Sequence, residues 1–179
     1  WLVQADLART LTLIADQGPA VFYRGEIAQR IAEHMTAHGG TITEADLAAY
    51  AVRIREPLWV DYRGKRVAFI ALNSGGTSVA QMLNLLEGFD LPSLGHNSAA
   101  TLHLIAEAQH MAYADRFAHM GDPDFAPIPL DGLESKAYAA ERRRQIKPNG
   151  PPLTAPVGDP WPFQPGGRPA HPLLAGGED

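Results

Sequence analysis

Apolar and polar positions along this chain follow one period, change to another, and then lose periodicity. In residues 2–17 apolar side chains recur at three- and four-residue steps, which predicts a helix with Leu7, Leu11, Ile14 and Ala15 facing inward. Gln17-Gly18-Pro19 ends it, and Phe22-Tyr23-Arg24-Gly25 reads as a connector. Residues 26–37 form a second helix with Ile27, Ile31 and Met35 at steps of four, stopped by Gly39-Gly40. Thr43, followed three residues later by Asp46, approximates a capping box and starts a short helix over 44–50. The pattern then shifts to β-branched and aromatic residues, predicting strands near 52–55, 58–62 and 66–71. Arg63-Gly64-Lys65 is the turn of a hairpin. Helical spacing resumes over 78–88, 98–120 and 133–146, with Phe89–Gly95 as a loop.

The longest of these helices organises the rest. Asn97 or Ser98 can cap it, and Gly121 supplies a left-handed stop before the turn Asp122-Pro123-Asp124. Glu107, Asp115, Arg116 and Asp122 lie on or near its apolar face, where a simple amphipathic helix carries no charge. Charge beside a core persists only when paired, so Arg116 is expected to bond Asp115, Asp122 or Glu107 as a structural polar cluster.

Composition changes the picture at the C-terminal end. Nine of the 15 prolines and six of the 17 glycines fall within 147–179, so this stretch is an extended, wrapping or disordered tail to the region 1–146. Apolar residues at 45% and charged residues at 20% fit a globular chain, and 179 residues suffice for a real core. A net charge of −5 argues against nucleic acid or an anionic membrane surface as partner. No apolar run reaches the roughly 18 residues of a membrane span. With no cysteine, thiolate nucleophiles and zinc–thiolate sites are excluded. Trp1 is preceded by neither Met nor a basic leader, so the chain reads as cut at its front.

His103, Glu107 and His110 share a helix face, but the spacing is not HExxH; they read as surface or core groups, and no metal is expected. Asp122-x-Asp124 lacks the glycine and distal glutamate of a calcium loop and reads as turn chemistry. Ser74 is not in a G-x-S-x-G elbow; Ser74-Gly75-Gly76 reads as a tight turn at a helix start, where an anion could also bind. Arg142-Arg143-Arg144 reads as a solvated helix end whose charge suits the helix dipole.

A set of strings then carries a resemblance. They are Phe22-Tyr23-Arg24-Gly25-Glu26-Ile27-Ala28, Gly39-Gly40-Thr41-Ile42-Thr43, Asp46-Leu47-Ala48-Ala49-Tyr50, Asp61-Tyr62-Arg63-Gly64, Ser74-Gly75-Gly76, Leu83-Asn84-Leu85-Leu86-Glu87, Glu107-Ala108, Ala112-Tyr113-Ala114-Asp115-Arg116 and Gly121-Asp122-Pro123-Asp124-Phe125. In this order and spacing they resemble the C-terminal part of the large subunit of gamma-glutamyltransferases, within the N-terminal-nucleophile (Ntn) hydrolase superfamily. One local difference is Ala71-Leu72-Asn73 where relatives commonly show a proline run. The resemblance implies an α+β fold, mostly helical with a short antiparallel strand region, forming part of an αββα sandwich. It implies cleavage of γ-glutamyl amides of the glutathione type, with transfer to water or an amine. The nucleophile would be a threonine at the N-terminus of a separate small subunit, and Asp179 the last residue before the autoprocessing point. No catalytic or substrate-binding position and no cofactor is implied for this chain. Compartment would be periplasmic or secreted. Cephalosporin and glutaryl acylases share the framework and are the first alternative; a non-catalytic scaffold is the second.

Overall fold

The computed structural model describes residues 1–70, 74–151, 154 and 156–169. Ala71-Leu72-Asn73 and Asp179 lie outside the described residues. The chain divides into two compact units, Trp1–Ile54 and Arg55–Asp179.

The first unit is helical: α1 Ala5–Gln17, α2 Ala20–Arg24, α3 Glu26–Ala37 and α4 Glu44–Ala49. The expected connector at Phe22–Gly25 is mostly helix, because Pro19 presets a helical start and Val21 is buried. Tyr23 stacks on Tyr50 with centroids 5.3 Å apart, and the Arg24 guanidinium donates to the Ala48 carbonyl at 2.7 Å. These two contacts draw α4 onto α2. The capping box forms as expected: Asp46 N–H donates to Thr43 Oγ1 at 3.2 Å, and Thr43 N–H to Asp46 Oδ2 at 2.8 Å. The inward face expected for α1 is corrected. Leu7 and Leu11 are exposed, while Leu13 joins Ile27, Ile31 and Met35 in lining a groove of about 410 Å³. Period marks an apolar stripe, but the neighbouring helix decides which stripe is covered.

The second unit opens with a hairpin, β1 Leu58–Tyr62 and β2 Lys65–Phe69, antiparallel in the register Leu58↔Phe69 to Tyr62↔Lys65. Arg63 and Gly64 both take positive φ, 49° and 74°, which makes the two-residue turn compatible with strand twist. The strand expected at 52–55 is absent: no strand is assigned there, and Val52 and Ile54 are exposed. β-branched residues favour a pleated surface only where another strand or a core receives them. Five helices follow: α5 Gly76–Leu86, α6 Leu91–Leu94, α7 Ala99–His119, α8 Leu130–Glu134 and α9 Lys136–Arg143. α6 stands where a loop was expected. α5 begins two residues early because Gly75 caps it and Ser74 Oγ accepts from Gly76 N–H at 3.4 Å.

The long helix α7 matches expectation at its start, where Ser98 Oγ accepts from Thr101 N–H at 3.1 Å. Its stop differs. Met120 turns extended, with φ −102° and ψ 129°, and Gly121 is not left-handed. The helix expected over 133–146 is broken: Ser135 is extended and its Oγ accepts from Tyr138 N–H at 3.0 Å, starting α9 anew. The core gathers Leu85, Leu86, Leu104, Ala108, Met111, Ala139 and Ile146 from α5, α7, α9 and its exit. The described part of the Pro/Gly-rich segment wraps this unit, with a 3-10 turn at Trp161–Phe163 and Phe163 packed at 5.5 Å from the Tyr138 ring. Among the described residues no helix is long and apolar enough to cross a membrane.

Candidate functional site

The densest polar constellation among the described residues is buried, where α7, α9, α5 and the C-terminal segment meet. α7 contributes Asp115, α9 contributes Tyr138 and Arg142, which are four residues apart on one helix face, and α5 contributes Gln81. Asp115 Oδ1 accepts from Arg142 Nη2 at 3.2 Å and from Gly158 N–H at 2.8 Å. Its Oδ2 accepts from the Tyr138 hydroxyl at 2.7 Å and from Gln81 Nε2 at 3.0 Å. Asp115 is 1% exposed and Arg142 3%, so the ion pair is shielded from water. Arg142 also donates to the Pro156 carbonyl at 2.6 Å, and His119 Nε2 lies 2.8 Å from the Gly158 carbonyl. Burial, and then donation to the Asp115 carboxylate, push the Tyr138 phenol well above its ordinary range. With four donors on one carboxylate, Asp115 has no spare lone pair to act as a base. The arrangement holds the backbone at Gly158 and Pro156 in place.

Three smaller polar groups lie in the same unit. The Glu134 side chain accepts from the Thr77 hydroxyl at 2.9 Å, and its carbonyl accepts from Asn84 Nδ2 at 2.7 Å. Burial pushes the Glu134 carboxyl up to about 7; the Thr77 hydrogen bond opposes the shift and Asp131 adds to it. Arg143 donates to the Leu85 and Asn84 carbonyls at 2.8 and 2.7 Å, closing the C-terminal end of α5. At the surface Lys136 Nζ lies 2.6 Å from Glu87 Oε2, while the Arg63 N–H donates to Glu87 Oε1 at 2.9 Å. The Arg63 N–H first, and Lys136 next, hold the Glu87 carboxyl below its usual value.

The expected polar cluster is therefore rearranged. Arg116 donates to the Ser74 carbonyl at 2.9 Å and to Ser78 Oγ at 3.4 Å, and the ion-pair partner of Asp115 is Arg142. Asp122 caps its own turn, accepting from Asp124 N–H at 3.0 Å. Glu107 is buried at 1% exposure, more than two turns from Asp115 along α7. His103 Nε2 lies 3.0 Å from the Lys147 carbonyl, and His110 is exposed. Arg142 and Arg143 are corrected from solvated helix end to partners of the interior, because α9 turns that face onto α5 and α7. Sequence reasoning missed Tyr138, Gln81 and Gly158 as well; the four-residue spacing of Tyr138 and Arg142 was the available signal.

A family model described as Gamma-glutamyltranspeptidase matches residues 1–166. The glutathione hydrolase proenzyme of Escherichia coli (strain K12) is 47% identical over 149 residues, covering 83% of this chain and 26% of that protein. The acylase ACY 1 proenzyme of Pseudomonas sp. (strain SE83) is 44% identical, covering 82% of this chain and 26% of that protein. Among solved structures, Helicobacter pylori gamma-glutamyltranspeptidase aligns with a TM-score of 0.77 at 41% identity, over 88% of this chain and 46% of that one. Cephalosporin acylase from Bacillus halodurans aligns with a TM-score of 0.76 at 35% identity, over 86% of this chain and 28% of that one. The chain spans about a quarter of the length of these curated relatives.

Proposed function

Because the chain belongs to the gamma-glutamyltranspeptidase family, we propose that it is the C-terminal part of the large subunit of an Ntn hydrolase cleaving γ-glutamyl amides. The observation that carries this reading is the family match across residues 1–166. On this reading the parent is a precursor that cuts itself after Asp179. The small subunit then begins with the nucleophilic threonine, whose own amine serves as base. That threonine attacks the γ-glutamyl carbonyl, and the acyl group passes to water or an amine. This chain contributes framework to an αββα sandwich, and Glu107, Asp115, Arg116 and Asp122 serve that framework rather than the chemistry.

Intact mass and N-terminal sequencing of the expressed full-length parent test the proposal. A companion chain beginning with threonine and continuous with Asp179 is expected. An uncleaved parent without amidase activity would instead support a scaffold. A second reading, a cephalosporin or glutaryl acylase on the same framework, is favoured by the similarity to acylases of both sequence and structure. Turnover of a γ-glutamyl anilide against a glutaryl amide separates the two.

A further inference from the structure

The long helix α7 carries two stripes. Leu104, Ala108, Met111, Ala112 and Asp115 form the buried one, which packs on α5 and α9. Tyr113, Arg116, Phe117 and Met120 stand at i, i+3, i+4 and i+7 on the opposite side, the spacing by which a helix presents one face to a partner. Tyr113 and Phe117 are exposed, and their rings pair with centroids 6.0 Å apart. Arg116, Phe117, Met120 and Gly121 line a cavity of about 260 Å³. A helix that is apolar on opposite sides belongs between two layers, and the described residues supply only the inner one.

Arg116 sits half-buried in the outer stripe. Its Nη1 donates to the Ser74 carbonyl and to Ser78 Oγ, both neutral acceptors. Among the described residues no carboxylate pairs with it, since Asp115 is held by Arg142 and Asp122 by its own turn. Nη2 and Nε also have no partner among the described residues. They form the edge through which a guanidinium takes a carboxylate by two parallel N–H···O bonds. We propose that this face of α7 docks a segment of the parent polypeptide outside residues 1–179, one that brings a carboxylate side chain to Arg116 and apolar side chains onto Phe117 and Tyr113. This rests on the reading that the chain is part of a longer parent, and on neither self-cleavage nor the substrate; the chain spans about a quarter of the length of its curated relatives. A free small carboxylate would neutralise Arg116 but leave both aromatic rings in water, whereas a polypeptide segment covers all three side chains at once.

The test places the photo-crosslinker p-benzoylphenylalanine in place of Phe117 in the full-length parent, and in place of Tyr113 in a second variant. After irradiation the linked peptide is sequenced by mass spectrometry. A peptide outside residues 1–179 is expected, with Asp or Glu within about four residues of the linked site. Replacing that acid by its amide, together with Arg116→Gln, then completes a double-mutant cycle. Arg116→Gln keeps a donor for the Ser74 carbonyl and removes the charge. Each single variant is expected to lower the melting temperature of the parent, and the double variant to lower it no further than the larger single effect. A folded parent in which neither probe links, a link between two parent molecules, a linked peptide without an acidic residue, or additive losses in the cycle would each overturn the docking face. Turnover of a γ-glutamyl amide by the wild-type parent is followed separately; its absence would count against the enzymatic reading and would not alter which segment is linked.

Discussion

Asp115 shows how one residue can carry several elements at once. Its buried carboxylate takes two donors from α9, one from α5 and one from Gly158 of the C-terminal segment. Removing one member of a buried ion pair leaves the other charged and uncompensated, which costs roughly 3–5 kcal/mol. Asp115→Ala is therefore expected to lower stability by about that amount, read from the denaturant midpoint of the intact parent. Adding Arg142→Met to Asp115→Ala should recover part of the loss, because the stranded guanidinium goes with it. Simple additivity of the two single variants would refute the pairing. Glu134 makes the complementary case, a single carboxyl kept near neutrality. Its folded value of about 7 lies above the ordinary 4.5, so the folded state holds the proton more tightly. The contribution is complete below pH 4.5 and is lost as pH rises through 7. Glu134→Gln keeps an acceptor for the Thr77 hydroxyl but cannot ionise. Its melting temperature should gain on the wild type from pH 5 to pH 8; a constant difference across that range would count against the buried-acid account.

Caps and neighbours, more than periodicity, decided where elements begin and end. The hairpin and the capping box at Thr43 were legible because a two-residue turn and a Thr-x-x-Asp cap are local signals. Residues 133–146 looked continuous because no glycine or proline interrupts them. Ser135 nevertheless breaks the run, since its hydroxyl captures the Tyr138 N–H. Ser135→Ala should cost about 1 kcal/mol, as loss of a helix cap does. An unchanged denaturation midpoint would mean that the break is imposed by packing alone. The charges on α7 were legible as needing partners, but the partner was not. Arg116 is adjacent in sequence, whereas Arg142 is 27 residues away and reaches Asp115 only because α9 folds back. Long-range pairing of this kind depends on which face a helix presents, and one sequence does not fix that. The docking of the C-terminal segment was legible only as a composition shift, since Gly158 and Gln164 gain meaning from Asp115 and Gly132.

At the scale of the molecule, both units expose large apolar side chains among the described residues. In the first unit Val52, Ile54, Leu7 and Leu11 are exposed; in the second Ile70, Phe117, Phe125 and Leu102 are. Single exposed apolar residues are ordinary, but Phe117 and Phe125 are 82% and 86% exposed large aromatics on a chain spanning about a quarter of its relatives. The two-stranded sheet has a free edge on each side among the described residues, and an isolated hairpin is marginal without further strands. Both features suit a segment completed by the rest of a longer polypeptide. Expressed by itself, residues 1–179 should bind a hydrophobic dye and self-associate in sedimentation, and the net charge of −5 is too small to prevent it. The complete parent should be dye-silent at the same concentration, because burying those faces removes the dye's site. A cooperative, dye-silent monomer of the separate chain would overturn this account. The uncovered faces would then belong to a stable surface, and the unit that holds Asp115 would fold without the rest of the parent.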